Sequence, residues 1–253
     1  MTPREMPAPA APPAGGPRRL RSAKPRHVAA RAAGARLLDV DAAMERAVPA
    51  DERALARERV VVPLVRIERG AIDLLSLPVL CRPFAAIVLE GVVVRRVVTG
   101  ERTAAEVLGP DDLLAVGLPA GRSFCTAHTP VRLAVLDERF RVAARRWPGL
   151  HDAVHDAMGR QLHETVERSA LLHLPRVEQR LVALFAHLAE RWGRVTPDGV
   201  VIPLRLSHEL LGELVGSRRP TVTLALTQLG ESGQVRRRAG DGWLLPAERI
   251  DAA

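Results

Sequence analysis

The chain has 253 residues, of which 47% are apolar and 26% charged, as expected for a folded protein with one large core or two smaller ones. Its apolar runs are far shorter than the ~20 residues that a membrane-spanning helix needs, so no bilayer crossing is expected. The net charge is +8, but residues 1–35, with seven Lys/Arg and one acid, hold +6 of it. Total charge is therefore weak support for nucleic-acid binding.

The first 35 residues are rich in Pro, Ala, Gly and Arg and lack the apolar block of a secretory signal. Residues 1–35 are predicted to be a disordered tail of a cytoplasmic protein. The two cysteines, Cys81 and Cys125, have no CxxC spacing. This suits a reducing compartment and argues against a structural zinc or iron–sulfur site. No cofactor is expected.

Residues 36–146 are predicted to form the first folded domain. A helical lead-in over residues 37–59 is broken at Pro49, with Asp39 or Asp51 placed to cap a helix. Residues 60–136 then change to short β-branched runs separated by turn residues. This spacing predicts an antiparallel roll or barrel of about eight strands, with tight turns at Gly91 and Gly100. The irregular segment 109–123 is expected on the ligand-accessible side.

Residues 147–174 are predicted to form a long helix, because apolar residues recur there at intervals of three and four. This apolar stripe has two interpretations. The helix packs on its own roll, or it pairs with a second copy in a coiled-coil-like dimer, which about three heptads suffice to form. We favour the dimer, with an interface formed by Leu150, Val154, Met158, Leu162 and Val166.

Residues 206–229, LSHELLGELVGSRRPTVTLALTQL, have the pattern of two short amphipathic helices joined by a turn. Ser207 can cap the first helix, and Gly216 can take the left-handed conformation that a sharp turn requires. The second helix is expected to begin at Arg219-Pro220, since proline is tolerated in a first helical turn. The residues predicted to face inward are Val222, Leu224 or Ala225, Leu226 and Leu229.

The polar residues that remain outward on the second helix suit a DNA groove. Arginine can hold guanine through two hydrogen bonds, and serine and threonine can bind phosphates or base edges. The following segment, GQVRRRAGDGWLLP, is predicted to be a two-stranded wing that lies along the phosphate backbone. The predicted DNA-binding residues are Ser207, Ser217, Arg218, Arg219, Pro220, Thr221, Thr223, Gln228, Arg236, Arg237 and Arg238.

The segment VGSRRPTVTLALTQLGESG resembles the recognition segment of Crp/Fnr-type transcription regulators. Gly216 falls on the family's turn glycine, and Arg219 falls on the arginine that reads a guanine in the family. Pro220 stands where many members carry a base-contacting Glu, and Leu224 stands where some carry a second Arg. The target sequences of other members therefore cannot be transferred to this chain.

The resemblance implies an α+β protein with an antiparallel β-roll of the cyclic-nucleotide-binding kind, a dimerisation helix, and a winged helix-turn-helix over residues 175–253. LGPDDLL, residues 108–114, is similar to the turn before the family's ligand cassette. That cassette should offer a Gly-Glu pair for a ribose and an Arg-Ser/Thr pair for a cyclic phosphate. Arg122 and Ser123 are the candidate effector pocket here, and the missing Gly-Glu pair argues against a cyclic nucleotide.

Several alternatives stay open. The protein is a haem- or redox-responsive regulator that uses Cys81, Cys125 or His128, a regulator that responds to a protein partner, a cyclic-nucleotide-dependent regulator with an atypical pocket, or an interaction module whose winged domain is degenerate. An enzyme is not expected, since the sequence lacks a phosphate loop, a nucleophile elbow and an HExxH motif, and His151 and His155 lack a third metal ligand.

The resulting prediction is a cytoplasmic homodimer that regulates transcription. It is expected to bind a pseudo-palindromic site on double-stranded DNA, with half-sites about one helical turn apart. RNA polymerase is a further expected partner, no membrane partner is expected, and the effector is unknown.

Overall fold

A computed structural model describes residues 32–73, 82–115, 123–238 and 242–246. Its N-terminal half is a β-roll. The strands of the roll are β1 (Ala32–Arg36), β2 (Val61–Ile67), β3 (Gly70–Ile72), β4 (Ala85–Glu90), β5 (Val93–Thr99), β6 (Arg102–Leu108), β7 (Leu113–Ala115), β8 (Ser123–Ala127) and β9 (Val131–Leu136). The helices that flank the roll are α1 (Leu37–Val40), α2 (Ala42–Arg46), α3 (Arg53–Arg59), α4 (Glu138–Arg146) and α5 (Gly149–Leu171).

The roll consists of two antiparallel sheets, with strand orders β1-β2-β9-β4-β7 and β3-β8-β5-β6. Alternate residues of both sheets, such as Val65, Val93 and Leu133, point between them and form a buried core. The predicted antiparallel roll is confirmed, with nine strands in the described residues where about eight were expected. The predicted turns are also found: Gly91 and Gly100 have φ of 87° and 60°.

The start of the roll differs from the prediction. Residues 32–35 were assigned to the disordered tail, but they belong to β1, which pairs with β2 through registers such as Ala33 with Leu64. Backbone pairing forms this strand without large apolar side chains, so no hydrophobic pattern marks it in the sequence. The helix cap also differs, because the carboxylate of Asp41, rather than of Asp39 or Asp51, accepts hydrogen bonds from the backbone amides of the next helix.

The long helix α5 divides into two halves. Leu150 and Val154 are buried against α4 and the first sheet, so their assignment to a dimer interface was wrong: both side chains are used by the core of their own protomer. Met158, Leu162 and Val166 are 54%, 66% and 60% exposed and form an apolar stripe along the second half. The predicted interface is therefore shorter than expected and starts at Met158.

The C-terminal half packs three helices on a small sheet. Its elements are α6 (Val177–Trp192), β10 (Arg194–Thr196), β11 (Gly199–Ile202), α7 (His208–Val215), α8 (Arg219–Glu231), β12 (Arg236–Arg238) and β13 (Gly242–Pro246). The sheet has the order β10-β11-β13-β12. Apolar residues at helical spacing on α6 face the core, where the Phe185 ring lies 4.9 Å from the Trp243 ring.

The two halves are docked on each other. Val92, Val94 and Val107, on the outer face of the roll, belong to the same apolar cluster as the core of the C-terminal half. At the edge of this contact, Nε of Arg96 on β5 lies 2.8 Å from an Oε atom of Glu213 on α7. The position of α7 is thus fixed by the roll as well as by its own domain.

Arg191, near the end of α6, joins three elements through two ion pairs. One Nη atom lies 2.5 Å from Oδ2 of Asp112 in the loop before β7, and the other lies 2.6 Å from an Oε atom of Glu164 on α5. Burial raises the pKa of the Asp112 carboxyl, and the hydrogen bond from Arg191 opposes this shift.

In the described ranges, no helix has the length and apolar character that crossing a membrane requires.

Candidate nucleic-acid interface

The turn between α7 and α8 has the geometry of a helix-turn-helix. Oγ of Ser207 caps α7 by accepting from the Leu210 amide at 3.1 Å. Gly216 ends the helix in the left-handed region, with φ 64° and ψ 34°, and its amide donates to the Gly212 carbonyl. The predicted roles of Ser207 as a cap and of Gly216 as a turn residue agree with this geometry.

Gly212 is a second glycine that this turn requires, and the sequence reasoning did not single it out. A Cβ at this position would lie 2.6 Å from the carbonyl oxygen of Ser217. The helix and the residues after the turn therefore approach each other where only a hydrogen fits. The signal available in the sequence was a glycine in the middle of an amphipathic helix, which is unfavourable unless packing needs it.

Helix α8 begins at Arg219 with a proline in its first turn, as expected. Val222, Ala225 and Leu229 are buried, whereas Leu224 is 61% exposed. The two alternatives for the inward position are thus resolved in favour of Ala225. Leu224 is a large apolar side chain that points outward.

The residues predicted to contact DNA come from the start of α7, the turn after it, α8 and β12. All of them are exposed except Ser217, which is half-buried. Arg218 and Arg219 stand at the N-terminal end of α8, where the helix dipole is positive, and the first turn contains no acidic residue. This end of the helix therefore attracts anions such as phosphates.

Thr223 has less freedom to bind DNA than the sequence indicated. Its hydroxyl donates to the Arg219 carbonyl at 3.0 Å and also lies 2.9 Å from Nδ1 of His208. The contact between His208 and Thr223 joins α7 to α8. His208 is thus a residue of this surface that the sequence reasoning missed, since its partner lies on the other helix.

The wing strand β12 presents its three arginines on two faces, because side chains alternate along a strand. Arg237 pairs across from Trp243, and its guanidinium carbon lies 6.0 Å from the ring centroid. Arg236 and Arg238 point to the opposite face. The pKa of His208 is lowered by burial first and then by the charges of Arg237 and Arg219. These two arginines therefore act on one surface.

The candidate effector pocket is only partly described. Arg122 lies outside the described residues, and Ser123 is the half-buried first residue of β8. In the same sheet, Nε of Arg95 lies 2.8 Å from Oε2 of Glu106, and Nη2 of Arg168 on α5 lies 3.1 Å from Oε1. These two arginines are thus already paired with a carboxylate of the protein itself.

The residues considered for haem or redox sensing are engaged elsewhere or undescribed. Cys81 lies outside the described ranges. Burial raises the pKa of the Cys125 thiol, which disfavours the reactive thiolate. Nε2 of His128 lies 2.8 Å from the Arg205 carbonyl oxygen. Among the described residues, no group of three or more His, Cys, Asp or Glu side chains could hold a metal ion.

Known proteins resemble the chain in sequence. Residues 179–247 match the family model of the Crp-like helix-turn-helix domain. The regulatory protein CysR of Synechococcus elongatus is 30% identical over 55% of this chain and 64% of its own length. The global nitrogen regulator of the same organism is 34% identical over 42% and 48%. The CRP-like cAMP-activated global transcriptional regulator of Mycobacterium tuberculosis is 28% identical over 62% and 72%. The chain thus spans less than two thirds of the first two relatives.

Solved structures resemble it in fold. A CooA mutant from Carboxydothermus hydrogenoformans superposes with a TM-score of 0.60 at 18% identity, covering 75% of this chain and 86% of that one. FixK2 from Bradyrhizobium japonicum superposes with a TM-score of 0.59 at 17% identity, covering 76% and 96%. At these identities the likeness shows a shared fold: a roll, a long helix and a helix-turn-helix domain.

Proposed function

We propose that this chain is a Crp/Fnr-type transcription regulator that binds DNA sequence-specifically. The match of residues 179–247 to the Crp-like helix-turn-helix domain supports the proposal. The observation that carries the proposal is the N-terminal end of α8. A left-handed Gly216 sets this end on the surface, and Arg218 and Arg219 surround it. Such a helix end can enter a major groove while the wing contacts phosphates.

The protein is proposed to act as a homodimer on a pseudo-palindromic site. The support is the stripe of Met158, Leu162 and Val166 on α5, which stays exposed in one protomer. Burying three such side chains against a second copy is favourable by roughly 1.5–3 kcal/mol for each. A two-fold axis along α5 would place one α8 over each half-site.

The remaining parts of the proposal are a cytoplasmic location, RNA polymerase as a partner, and no catalytic role. The relatives with similar sequences are named as regulators rather than enzymes. The effector is left unassigned. Two observations argue against a cyclic nucleotide. The segment 109–123 contains no Gly-Glu pair, and Arg95 and Arg168 are already paired with Glu106.

The proposal is tested with Arg219→Ala. Arg219 is expected to grip guanine, so the substitution should cost about 1–3 kcal/mol on the specific site in each half-site and relax discrimination at one base pair. Affinities are measured by fluorescence anisotropy on an operator enriched from random DNA and on the random pool.

Arg194→Ala is the matched control, because it removes an equal charge from an exposed position on β10, at the other edge of the sheet. It should leave discrimination unchanged. Equal losses for Arg219→Ala on the operator and on random DNA would reduce Arg219 to a phosphate contact, and failure to enrich any sequence would overturn the proposed function.

A further inference from the structure

The outward face of α8 is apolar along its centre. Pro220, Leu224 and Thr227 follow each other at intervals of four and three residues, opposite the buried stripe of Val222, Ala225 and Leu229. Leu224 is the largest of them and is 61% exposed. An exposed leucine alone needs no explanation, but here it stands in the middle of the surface proposed to face DNA.

The threonines beside Leu224 do not make this face polar. The hydroxyl of Thr223 donates to the Arg219 carbonyl at 3.0 Å, and the hydroxyl of Thr227 donates to the Thr223 carbonyl at 3.1 Å. Each hydroxyl has a single proton, so neither can donate to a base edge without giving up its bond to the helix. Hydrogen-bond donors are therefore scarce at the centre of the face.

Arginines lie at one end of this strip and on the neighbouring wing. Arg218 and Arg219 precede it on α8, and Arg237 lies on β12, which packs against α8. The acid Glu231 lies at the far end of α8. An apolar strip bordered by arginines fits a DNA duplex, since phosphates take up the charges and the groove floor meets the strip.

The major groove offers one apolar group to such a strip, the C5-methyl of thymine. We propose that Leu224, supported by Pro220, is a specificity-determining residue that reads a thymine methyl in each half-site. This inference rests on the proposed function. Leu224 lies five positions after Arg219 on the helix, an axial rise of about 7.5 Å. At about 3.4 Å per base pair, the thymine lies roughly two base pairs from the guanine that Arg219 contacts.

The experiment replaces thymine by uracil, which removes the C5-methyl and keeps every Watson–Crick hydrogen bond. The full-length protein is titrated with its enriched operator and with duplexes that carry uracil at one thymine position of both half-sites. At the position read by Leu224, uracil should weaken binding about fourfold for each half-site, the effect of losing one buried methyl group. Uracil at other positions should have no effect.

Two variants at this position complete the design. Leu224→Ala should bind the thymine and uracil duplexes equally, because the contacting side chain is gone. Leu224→Met keeps an apolar side chain of similar volume and should retain a preference for thymine. Both changes are at an exposed site, so the circular dichroism spectrum should be unchanged.

The outcomes separate this inference from the proposed function. An enriched operator whose affinity is unaffected by uracil at every thymine overturns the reading of the methyl while the proposed function stands. A uracil penalty that persists in Leu224→Ala overturns the role of Leu224 in the same way. If no sequence is enriched from random DNA, the proposed function fails and this inference fails with it.

Discussion

At the scale of single residues, the helix-turn-helix depends on two glycines for different reasons. Gly216 supplies a left-handed conformation that a residue with a Cβ adopts only at a cost. Gly212 has ordinary helical geometry and supplies space instead, because the carbonyl of Ser217 occupies the place of its missing side chain. A sharp turn requires a left-handed residue, so Gly216 could be predicted from the sequence; the close approach at Gly212 could not.

The packing of Gly212 leads to a stability prediction. In an open helix, Gly→Ala adds about 0.5–1 kcal/mol of stability. At Gly212 the new methyl would lie 2.6 Å from a backbone oxygen, so α7 and the turn must move apart. We expect Gly212→Ala to lower the free energy of unfolding by about 1–3 kcal/mol, the usual cost of overpacking, as measured by urea denaturation.

Gly230→Ala is the matched control for this prediction. Gly230 lies on α8 in the same domain, and the atom nearest to an added methyl group would be the Val235 carbonyl oxygen at 3.9 Å. This is ordinary contact, so the substitution should be neutral or stabilise the protein. A Gly212→Ala protein as stable as Gly230→Ala would mean that the turn accommodates a side chain.

At the scale of elements, the wing combines packing with charge. Its strand β12 pairs with β13, whose Trp243 is buried against Phe185 of α6. The Arg237 guanidinium lies over this indole, 6.0 Å from the ring centroid, while its neighbours on the strand point away. Arg237 therefore lies on the face of the strand that carries Trp243, and Arg236 and Arg238 lie on the opposite face.

This arrangement predicts unequal effects of the wing arginines on DNA binding. Arg237→Ala should weaken binding to all sequences and reduce the slope of log K against log salt by about one unit, the loss of one phosphate contact. Arg236→Ala, on the opposite face of the same strand, is the comparison and should change the slope less. Binding is measured over a series of salt concentrations, and an unchanged slope in Arg237→Ala would remove the wing from the interface.

The elements differ in how far the sequence predicted them. The roll, the long helix and the turn at Gly216 follow from local patterns: β-branched runs, helical periodicity and a glycine before a proline-started helix. The burial of Leu150 and Val154 does not, because a helix has the same apolar period whether its own roll or a second copy covers it. Periodicity identified the stripe, and only tertiary packing decided how it is divided.

The polar contacts of the site could not be predicted from local sequence patterns, because the paired residues are far apart in the sequence. Thr223 and His208 are 15 residues apart, and Arg96 and Glu213 are 117 residues apart. Neither pair has a spacing that marks it in the sequence, since each depends on how two elements pack. The sequence also did not decide whether Leu224 is exposed. Leu224 and Ala225 are adjacent on the helix, and the apolar pattern allowed either of them to face the core.

At the scale of the whole molecule, the second half of α5 is the surface on which a dimer depends. We expect Met158→Asp to yield monomers, because it would bury a carboxylate in an apolar interface. Multi-angle light scattering measures the mass. Val142→Asp is the control, since Val142 on α4 is 58% exposed and lies outside the stripe. A dimer that persists in Met158→Asp would rule out this interface.

Arg191 connects the C-terminal half to the roll and to the long helix through ion pairs. Its guanidinium, on α6, forms ion pairs with both Asp112 of the roll and Glu164 of α5. If α6 moved away from the roll, the Asp112 carboxylate would lose this ion pair and keep only the hydrogen bond from the Gly109 amide. Breaking a buried ion pair costs about 3–5 kcal/mol. Movement of α6 away from the roll is therefore opposed by this ion pair.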